Sequence, residues 1–374
     1  MTYLHLVSPH TQIYGLPEPL ELELGDVLPE VQVAYRTWGE LNRQGDNAIL
    51  VCHALTGHAD VDDWWAPLLG SGRTLDPSQD FIVCSNILGS CYGTTGPTSL
   101  NPATGQRYGP TFPAITVRDM VQVQAKLLEG LGVQSLRLVI GGSLGGMQVL
   151  EWGAQYGDRV QSLAVIAAPG RHSPWCIGLS EAQRQAIYTD PRWQGGHYTP
   201  DQPPVQGLSV ARMIAMNTYR SWASFHHRFG RNPSPSRPRM GAQQCAHTSS
   251  SSSYAITHYL HRHGQKLVNR FDANTYITLT HAMDYHEVGG DRPGTDPHQR
   301  YQSALKSIPP PTLVVAIDSD ILYPPAEQQE LAEWIPQAQL NWLYSPHGHD
   351  AFLIDMETLN DQVVAFRRQW ALVQ

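Results

Sequence analysis

The amino-acid sequence predicts an α/β fold: a mostly parallel central sheet with flanking helices and an inserted helical lid. Three observations carry this prediction. Short, largely apolar runs recur at Ala48–Cys52, Phe81–Ser85, Leu136–Ile140, Ser162–Ala167 and Thr312–Ile317, the pattern of strands covered on both faces. Helical patterns alternate with them. From Pro169 to about Pro309 the alternation stops, and an insertion of that size between core strands reads as a lid. The expected organisation is a first core part over 1–168, the lid over 169–309 and a second core part over 310–374.

Composition fits a globular, loop-rich enzyme. Apolar residues make up 41% of 374, charged residues only 16%, with 32 glycines and 28 prolines, so the chain is long enough to bury a large core. The net charge of −8 with no Lys/Arg block argues against nucleic acid or an anionic membrane as partner. Cys52, Cys84, Cys91, Cys176 and Cys245 are scattered without a C-x-x-C pair, which suits buried free thiols in a reducing compartment. There is no basic amino-terminal segment followed by an apolar core, and no apolar run of bilayer length. The expected location is the cytoplasm.

Taken in order, Leu20-Glu-Leu-Glu-Leu24 alternates and runs into Gly25-Asp26, a hairpin strand and turn whose expected partner is Val31–Tyr35 at one sheet edge. Ala48–Cys52 leads directly into His53-Ala54-Leu55-Thr56-Gly57, a strand followed by a loop. Phe81–Ser85 is followed by a long loop, Asn86 to Pro102, dense in Gly, Thr and Ser; loops of this length without regular structure are usually functional or disordered. From Thr116 to Leu131 the residues Val117, Met120, Val121, Leu127, Leu128 and Leu131 recur at helical spacing before Gly132, a core-facing helix. Within the lid, Ser180–Tyr188 and Val210–Tyr219 read as helical, Asn232–Pro238 as Pro-rich, and Ser249–Ser253 as a surface loop. A last strand is expected near Gln339–Tyr344 and a terminal helix over Met356–Leu372.

One stretch carries chemistry. The strand Leu136–Ile140 enters Gly141-Gly142-Ser143-Leu144-Gly145-Gly146, and a helical pattern runs from Met147 to Tyr156. Strand, tight turn and helix in this order are the context of a G-x-S-x-G nucleophile elbow. The turn presents the Ser143 hydroxyl at the sheet's carboxyl edge, with the N–H of Leu144 beside it. A second oxyanion donor is expected in the loop after Ala48–Cys52, the N–H of Leu55.

A serine hydroxyl is a poor nucleophile and needs a base and an orienting carboxylate. In this fold class the order is Ser, acid, His. Asp320 follows the strand ending at Ile317, in Asp318-Ser-Asp-Ile-Leu-Tyr-Pro324, and His349 follows the last strand, in Ser345-Pro-His-Gly-His-Asp350. Asp318 and His347 compete. A carboxylate four residues before Pro324 favours Asp320, and the Gly-His-Asp context before an apolar helix start favours His349. Metal chemistry is the chemical rival. His58 with Asp60, Asp62 and Asp63, and His226-His227, lack H-x-x-x-H spacing on a convincing helix; both read as solvated polar segments, and no metal site is expected.

Six blocks in order, His53–Gly57, Asn86 to Pro102, Gly141–Gln148, Ala211-Arg212 through Ser221, Ser319-Asp320 through Pro324 and Gly348–Leu353, resemble the homoserine O-acyltransferase family of the α/β-hydrolase superfamily. The resemblance covers nearly the whole chain. It implies that an acetyl group passes from acetyl-CoA to Ser143 and then to the side-chain hydroxyl of L-homoserine, a ping-pong double displacement in methionine biosynthesis. No cofactor beyond the co-substrate is implied. Arg212 then binds the carboxylate of homoserine and Asp350 its ammonium. A guanidinium fork and a carboxylate can together register an amino acid's two charges. Arg220 is the rival of Arg212, and Asp350 is also a candidate helix N-cap. Succinyl-type relatives tend to carry an arginine two residues after the catalytic aspartate. Leu322 stands there, and an apolar side chain leaves a succinyl carboxylate unpaired, so acetyl is the expected group. Ser90-Cys91-Tyr92 and His58 depart from the commoner family pattern. A homodimer formed through the lid helices is implied by the resemblance alone. The alternatives on the same residues are serine or homoserine O-succinyl transfer, and an esterase-type hydrolase.

Overall fold

The computed structural model describes residues 8–232, 254–290 and 296–371. Its centre is an eight-stranded sheet of β1 (Gln12–Gly15), β2 (Gln32–Trp38), β3 (Ala48–Cys52), β4 (Phe81–Ser85), β5 (Leu136–Gly142), β6 (Leu163–Ile166), β7 (Thr312–Ile317) and β8 (Ala338–Leu343). The spatial order is β1-β2-β4-β3-β5-β6-β7-β8. β1 and β2 pair antiparallel, as do β2 and β4, and every other neighbouring pair is parallel. Parallel strands must be covered on both faces, and the side chains obey. Along β3, Ile49 and Val51 enter one core while Leu50 and Cys52 enter the other. All four are at most 1% exposed, each contributing roughly 1.5–3 kcal/mol by burial.

Helices α1 (Val117–Gly130) and α2 (Leu144–Tyr156) pack against each other beside the sheet. Thr116 caps α1 in a reciprocal capping box with Asp119, worth about 1 kcal/mol. Between β6 and β7 lie α3 (Pro174–Tyr188), α4 (Val205–Tyr219), α5 (Trp222–Phe229), α6 (Ala255–Val268), α7 (Ala273–Asp284) and α8 (Pro297–Lys306). Here α4 packs against both α3 and α6. The chain ends with α9 (Pro325–Trp334), β8 and α10 (Met356–Ala371). No helix among the described residues is long and apolar enough to cross a membrane. Cys52, Cys84, Cys91 and Cys176 are buried and free. Cys245, the Pro-rich stretch beyond Asn232 and the Ser249–Ser253 run lie outside the described residues.

The amino-terminal expectation is corrected. Leu20–Glu21 does not pair with Val31–Tyr35; it folds back on Val27–Leu28 as a separate two-stranded ribbon, and β1 takes the sheet edge. The reason is a contact distant in sequence. Leu24 is 46% exposed, and the N–H of Glu23 donates to Asp119 at the start of α1, at 2.8 Å. That bond draws the alternating segment out to the helix end and away from the sheet. A second correction concerns His58 to Asp63, which is solvated at Asp62 and Asp63 but partly buried at His58 and Asp60, and which runs into a short helix, Val61–Trp64. Arg36 donates to Asp60 at 2.6 Å and to both Asp62 oxygens at 2.6 and 3.1 Å, and His58 lies 3.1 Å from Asp60. The segment is the partner of a buried guanidinium on β2.

Candidate active site

Ser143 sits between β5 and α2 with φ 59° and ψ −127°. A non-glycine residue at positive φ is held there by its surroundings at a cost of roughly 1–3 kcal/mol. The surroundings are visible. The Ser143 N–H donates to the Ile166 carbonyl at 3.0 Å, and the Ser143 carbonyl accepts from Gly146 and Met147. A Cβ on Gly145 would lie 2.1 Å from the Cys52 carbonyl oxygen, and one on Gly146 would lie 2.5 Å from the Ala168 side chain. Only glycines allow α2 to start this close to β3 and β6. Below the elbow, Gln148 donates to the carbonyls of His53 and Leu144 and accepts from Gln124, joining the elbow helix to the loop after β3.

That loop is a β-turn. The Gly57 N–H donates to the Ala54 carbonyl at 2.8 Å, which leaves the N–H of Leu55 outside the turn. Neither the Leu55 nor the Leu144 N–H has a protein acceptor among the described residues. His53 fixes the start of the turn. Its Nδ1 lies 2.8 Å from the Ala54 carbonyl, and its Nε2 accepts from the Ile87 N–H at 3.2 Å. These partners require a neutral ring with hydrogen on Nδ1. Burial pushes its pKa down to about 4.

Asp320 and His349 are brought together from the loops after β7 and β8. His349 Nδ1 lies 2.7 Å from Asp320 Oδ2, and Asp320 Oδ1 accepts from the N–H groups of Leu322 and Tyr323 at 2.8 and 3.0 Å. Both residues are buried, as is Ser143. Burial opposes a charge on His349, yet the Asp320 carboxylate, by charge and hydrogen bond, holds its pKa above the ordinary histidine value. His349 Nε2 is buried with no partner among the described residues. Three rings enclose the imidazole: Tyr323 at 5.2 Å, Phe352 at 5.5 Å and Tyr219 at 5.9 Å between centroids.

The rivals have other partners. Asp318 is exposed and accepts the Ser345 N–H at 2.8 Å. His347 Nδ1 faces Arg220 Nη2 at 3.1 Å. Arg220 is buried and also donates to Ser224, while Arg212 on α4 lies over the Tyr219 ring at 5.0 Å. Asp350 follows His349 in the turn Gly348–Leu353. Burial raises its pKa, against the charges of Arg212, His349 and Arg220, so both guanidiniums act electrostatically on the carboxylate that follows the base. Leu322 packs in the apolar core and its N–H holds Asp320.

Several residues of this site carry no signal that sequence spacing detects. Arg270, between α6 and α7, donates to the Thr56 carbonyl at 2.6 Å and to the Tyr92 hydroxyl, and His53, Tyr219 and Tyr323 act beside residues that motifs do mark. His53, Tyr219 and Tyr323 stand within the family-like blocks; Arg270 lies outside all six.

The sequence pattern of the α/β hydrolase fold matches residues 47–355. Homoserine O-acetyltransferase of Nostoc punctiforme is 65% identical over 362 residues, 96% of this chain and 97% of that one. The enzyme of the same name from Trichormus variabilis is 61% identical, covering 100% of this chain and 98% of its own. Among solved structures, homoserine O-acetyltransferase from Staphylococcus aureus overlaps with a TM-score of 0.72 at 26% identity, covering 95% of each chain. Esterase E22 overlaps with a TM-score of 0.83 at 25% identity, covering 96% of this chain and 99% of its own. With identities of this size over nearly its full length, the chain belongs to the homoserine O-acetyltransferase family, on the α/β hydrolase fold.

Proposed function

We propose that this chain transfers the acetyl group of acetyl-CoA to the side-chain hydroxyl of L-homoserine through an acyl-Ser143 intermediate, giving O-acetyl-L-homoserine and CoA in methionine biosynthesis. Its main support is the His349–Asp320 pair at 2.7 Å with Nε2 unengaged, in a chain of this family.

His349 Nε2 takes the proton of the Ser143 hydroxyl as its oxygen attacks the thioester carbonyl. The tetrahedral oxyanion lies between the N–H groups of Leu55 and Leu144, each donor worth roughly 2.7–4 kcal/mol by analogy with other oxyanion holes. The C–S bond breaks, and His349 returns the proton to the departing CoA sulfur. Homoserine then occupies the vacated space, its carboxylate on Arg212 and its ammonium on Asp350. His349 removes the proton of its hydroxyl, the oxygen attacks the acyl-serine, and Ser143 leaves with that proton. Asp320 stabilises the imidazolium in both halves. Holding the acceptor in place favours transfer over hydrolysis. Leu322 in its apolar surroundings favours acetyl over succinyl, whose carboxylate finds no charged partner in that side chain. We infer further that the enzyme acts in the cytoplasm as a homodimer paired through its lid helices, with 169–309 as that lid; sedimentation measures the oligomer.

Esterase E22, with the same architecture, gives a hydrolytic reading one observation in its favour. The deciding experiment is release of free CoA from acetyl-CoA and from succinyl-CoA, with L-homoserine, L-serine or no acceptor, beside Ser143→Ala. Fast release with acetyl-CoA and homoserine alone, absent in Ser143→Ala, is the expected result. Equal release without acceptor makes the chain a thioesterase and withdraws the roles of Arg212 and Asp350.

A further inference from the structure

The loop that carries Asp320 has two faces. Its inner face grips the carboxylate through the N–H groups of Leu322 and Tyr323. On its outer face three consecutive residues are tied to the segment that opens the lid. Trp175 Nε1 donates to the Ile321 carbonyl at 3.0 Å, Cys176 Sγ lies 3.2 Å from the Leu322 carbonyl, and the Tyr323 hydroxyl lies 3.3 Å from His172 Nε2.

The last of these contacts continues into the lid. His172 Nδ1 lies 3.0 Å from Asp284 Oδ1, at the end of α7, and Asp284 Oδ2 lies 2.7 Å from Arg184 on α3. Proton positions follow from the partners. Asp284 beside a guanidinium is an acceptor, so His172 Nδ1 donates to it; in the neutral ring Nε2 then accepts from the Tyr323 hydroxyl. The His172 side chain is 1% exposed and Tyr323 is fully buried. From Tyr323 through His172 to Asp284 each facing polar atom has a partner, the open atom being Arg184 Nη1 at the far end, and a buried polar chain of this kind favours one geometry over others. Its inner end is the Tyr323 ring, edge-on to His349 at 5.2 Å.

We propose that His172 is a positioning residue. Together with Asp284 and Tyr323, it registers the docked lid on the loop of Asp320 and so sets the Asp320–His349 hydrogen bond. None of these three groups needs to touch substrate. The inference rests on the triad reading and not on the identity of the acceptor.

The test uses the full chain with p-nitrophenyl acetate, whose acylation step is indifferent to the acceptor. Tyr323→Phe keeps the ring and removes the hydroxyl, His172→Ala breaks the chain, and Trp175→Phe removes an exposed tie to the same loop. Expected is an acylation rate about tenfold lower in Tyr323→Phe and His172→Ala, since small misplacements of catalytic groups cost up to about a hundredfold. Trp175→Phe is expected to show a smaller loss in the same direction. The acid-limb inflection of the rate moves down in all three, because His349 loses part of its pairing with Asp320. If His172→Ala fails to fold, the other two variants carry the test. Parent-like rates and inflection in Tyr323→Phe and Trp175→Phe, whatever their melting points, overturn the proposal while an inert Ser143→Ala leaves the triad standing. An active Ser143→Ala overturns the triad reading, and this inference with it.

Discussion

His349 is held at one nitrogen only: Nδ1 lies 2.7 Å from Asp320 Oδ2, and Nε2 is buried without a partner among the described residues. In the proposed role of general base the ring must be neutral to act, and the Asp320 carboxylate, working against burial, holds its pKa above the ordinary histidine value of 6.5. The rate of acyl-enzyme formation is therefore expected to fall on the acid side with an inflection above that value. Asp320→Asn is expected to lower the inflection and to cut the rate by about ten-thousandfold, the loss known for the equivalent change in a serine protease. Stability moves the other way. The folded state binds this proton more tightly than the unfolded state, so the charged ring stabilises the fold below about pH 6.5. That contribution disappears as pH rises through the raised value. An inflection in the rate at or below 6.5 would contradict the pairing.

Ser143 presents its hydroxyl at the cost of a backbone with φ 59°. Glycine adopts that region freely. Ser143→Gly is expected to abolish turnover and to raise stability by about 1 kcal/mol, within the roughly 1–3 kcal/mol that such strain costs. Chemical denaturation of the two proteins measures it. A variant less stable than the parent would mean that the elbow is not strained.

His53 gives the loop after β3 an acid limit. Its two ring nitrogens are both committed in the neutral form, and burial brings its pKa to about 4. Between pH 6.5 and about 4 the unfolded chain binds a proton that the folded chain refuses. Stability should thus decline as pH falls through that window, by up to about 3 kcal/mol from this group. His286, brought to about 3 chiefly by burial, acts in the same direction. Urea midpoints at pH 7 and pH 4.5 check this, with His53→Asn expected to show a shallower decline than the parent; parallel declines would remove His53 from the account.

The turn at Ser143 and the meeting of Asp320 with His349 were legible because Ser143 and Asp320 each follow a strand whose apolar run marks it, and because the order along the chain is fixed by the fold; the strand before His349, half-buried and of mixed polarity, gave a weaker signal. The central strands β3 to β7 were legible for the same reason. β1 was not: Gln12–Gly15 is mostly exposed and carries no apolar period, so only its pairing with β2 makes it a strand. The Leu20–Leu24 alternation misled because one hydrogen bond from Glu23 to Asp119, 96 positions apart, outweighs a weak local preference. Arg36 with Asp60 and Asp62, and His172 with Asp284, are likewise contacts between residues distant in sequence. Periodicity reports which face is buried and says nothing of which buried polar groups meet.

Arg212 and Asp350 should separate acceptor binding from acylation. On the proposed reading, Arg212→Leu removes a charged partner of the homoserine carboxylate, an interaction worth about 1.5–3 kcal/mol. KM for homoserine should rise by roughly ten- to a hundredfold. The burst of p-nitrophenol from p-nitrophenyl acetate should stay near the parent rate. A burst lowered as much as transfer would place Arg212 in the structure of the site and not in acceptor recognition.

Arg270 bears on the turn that carries Leu55, the second of the two proposed oxyanion donors. Its guanidinium reaches from the link between α6 and α7 to the Thr56 carbonyl, one residue beyond Leu55, and to the Tyr92 hydroxyl. Of the ties on residues 53–59, those from Gln148, Asn86 and Ile87 come from the core and the long loop, whereas this one comes from the helical segment between β6 and β7. Removing an oxyanion donor outright costs roughly a hundred- to a thousandfold. Loosening the turn that aims it should cost less, so Arg270→Met is expected to slow both acylation and transfer by about tenfold with little change in KM for homoserine. Arg270→Lys keeps the charge but lacks the guanidinium's planar fork, whose two nitrogens reach Thr56 and Tyr92, and should recover only part of the loss. Equal slowing of the two half-reactions identifies the shared donor; a change confined to KM would assign Arg270 to acceptor binding instead.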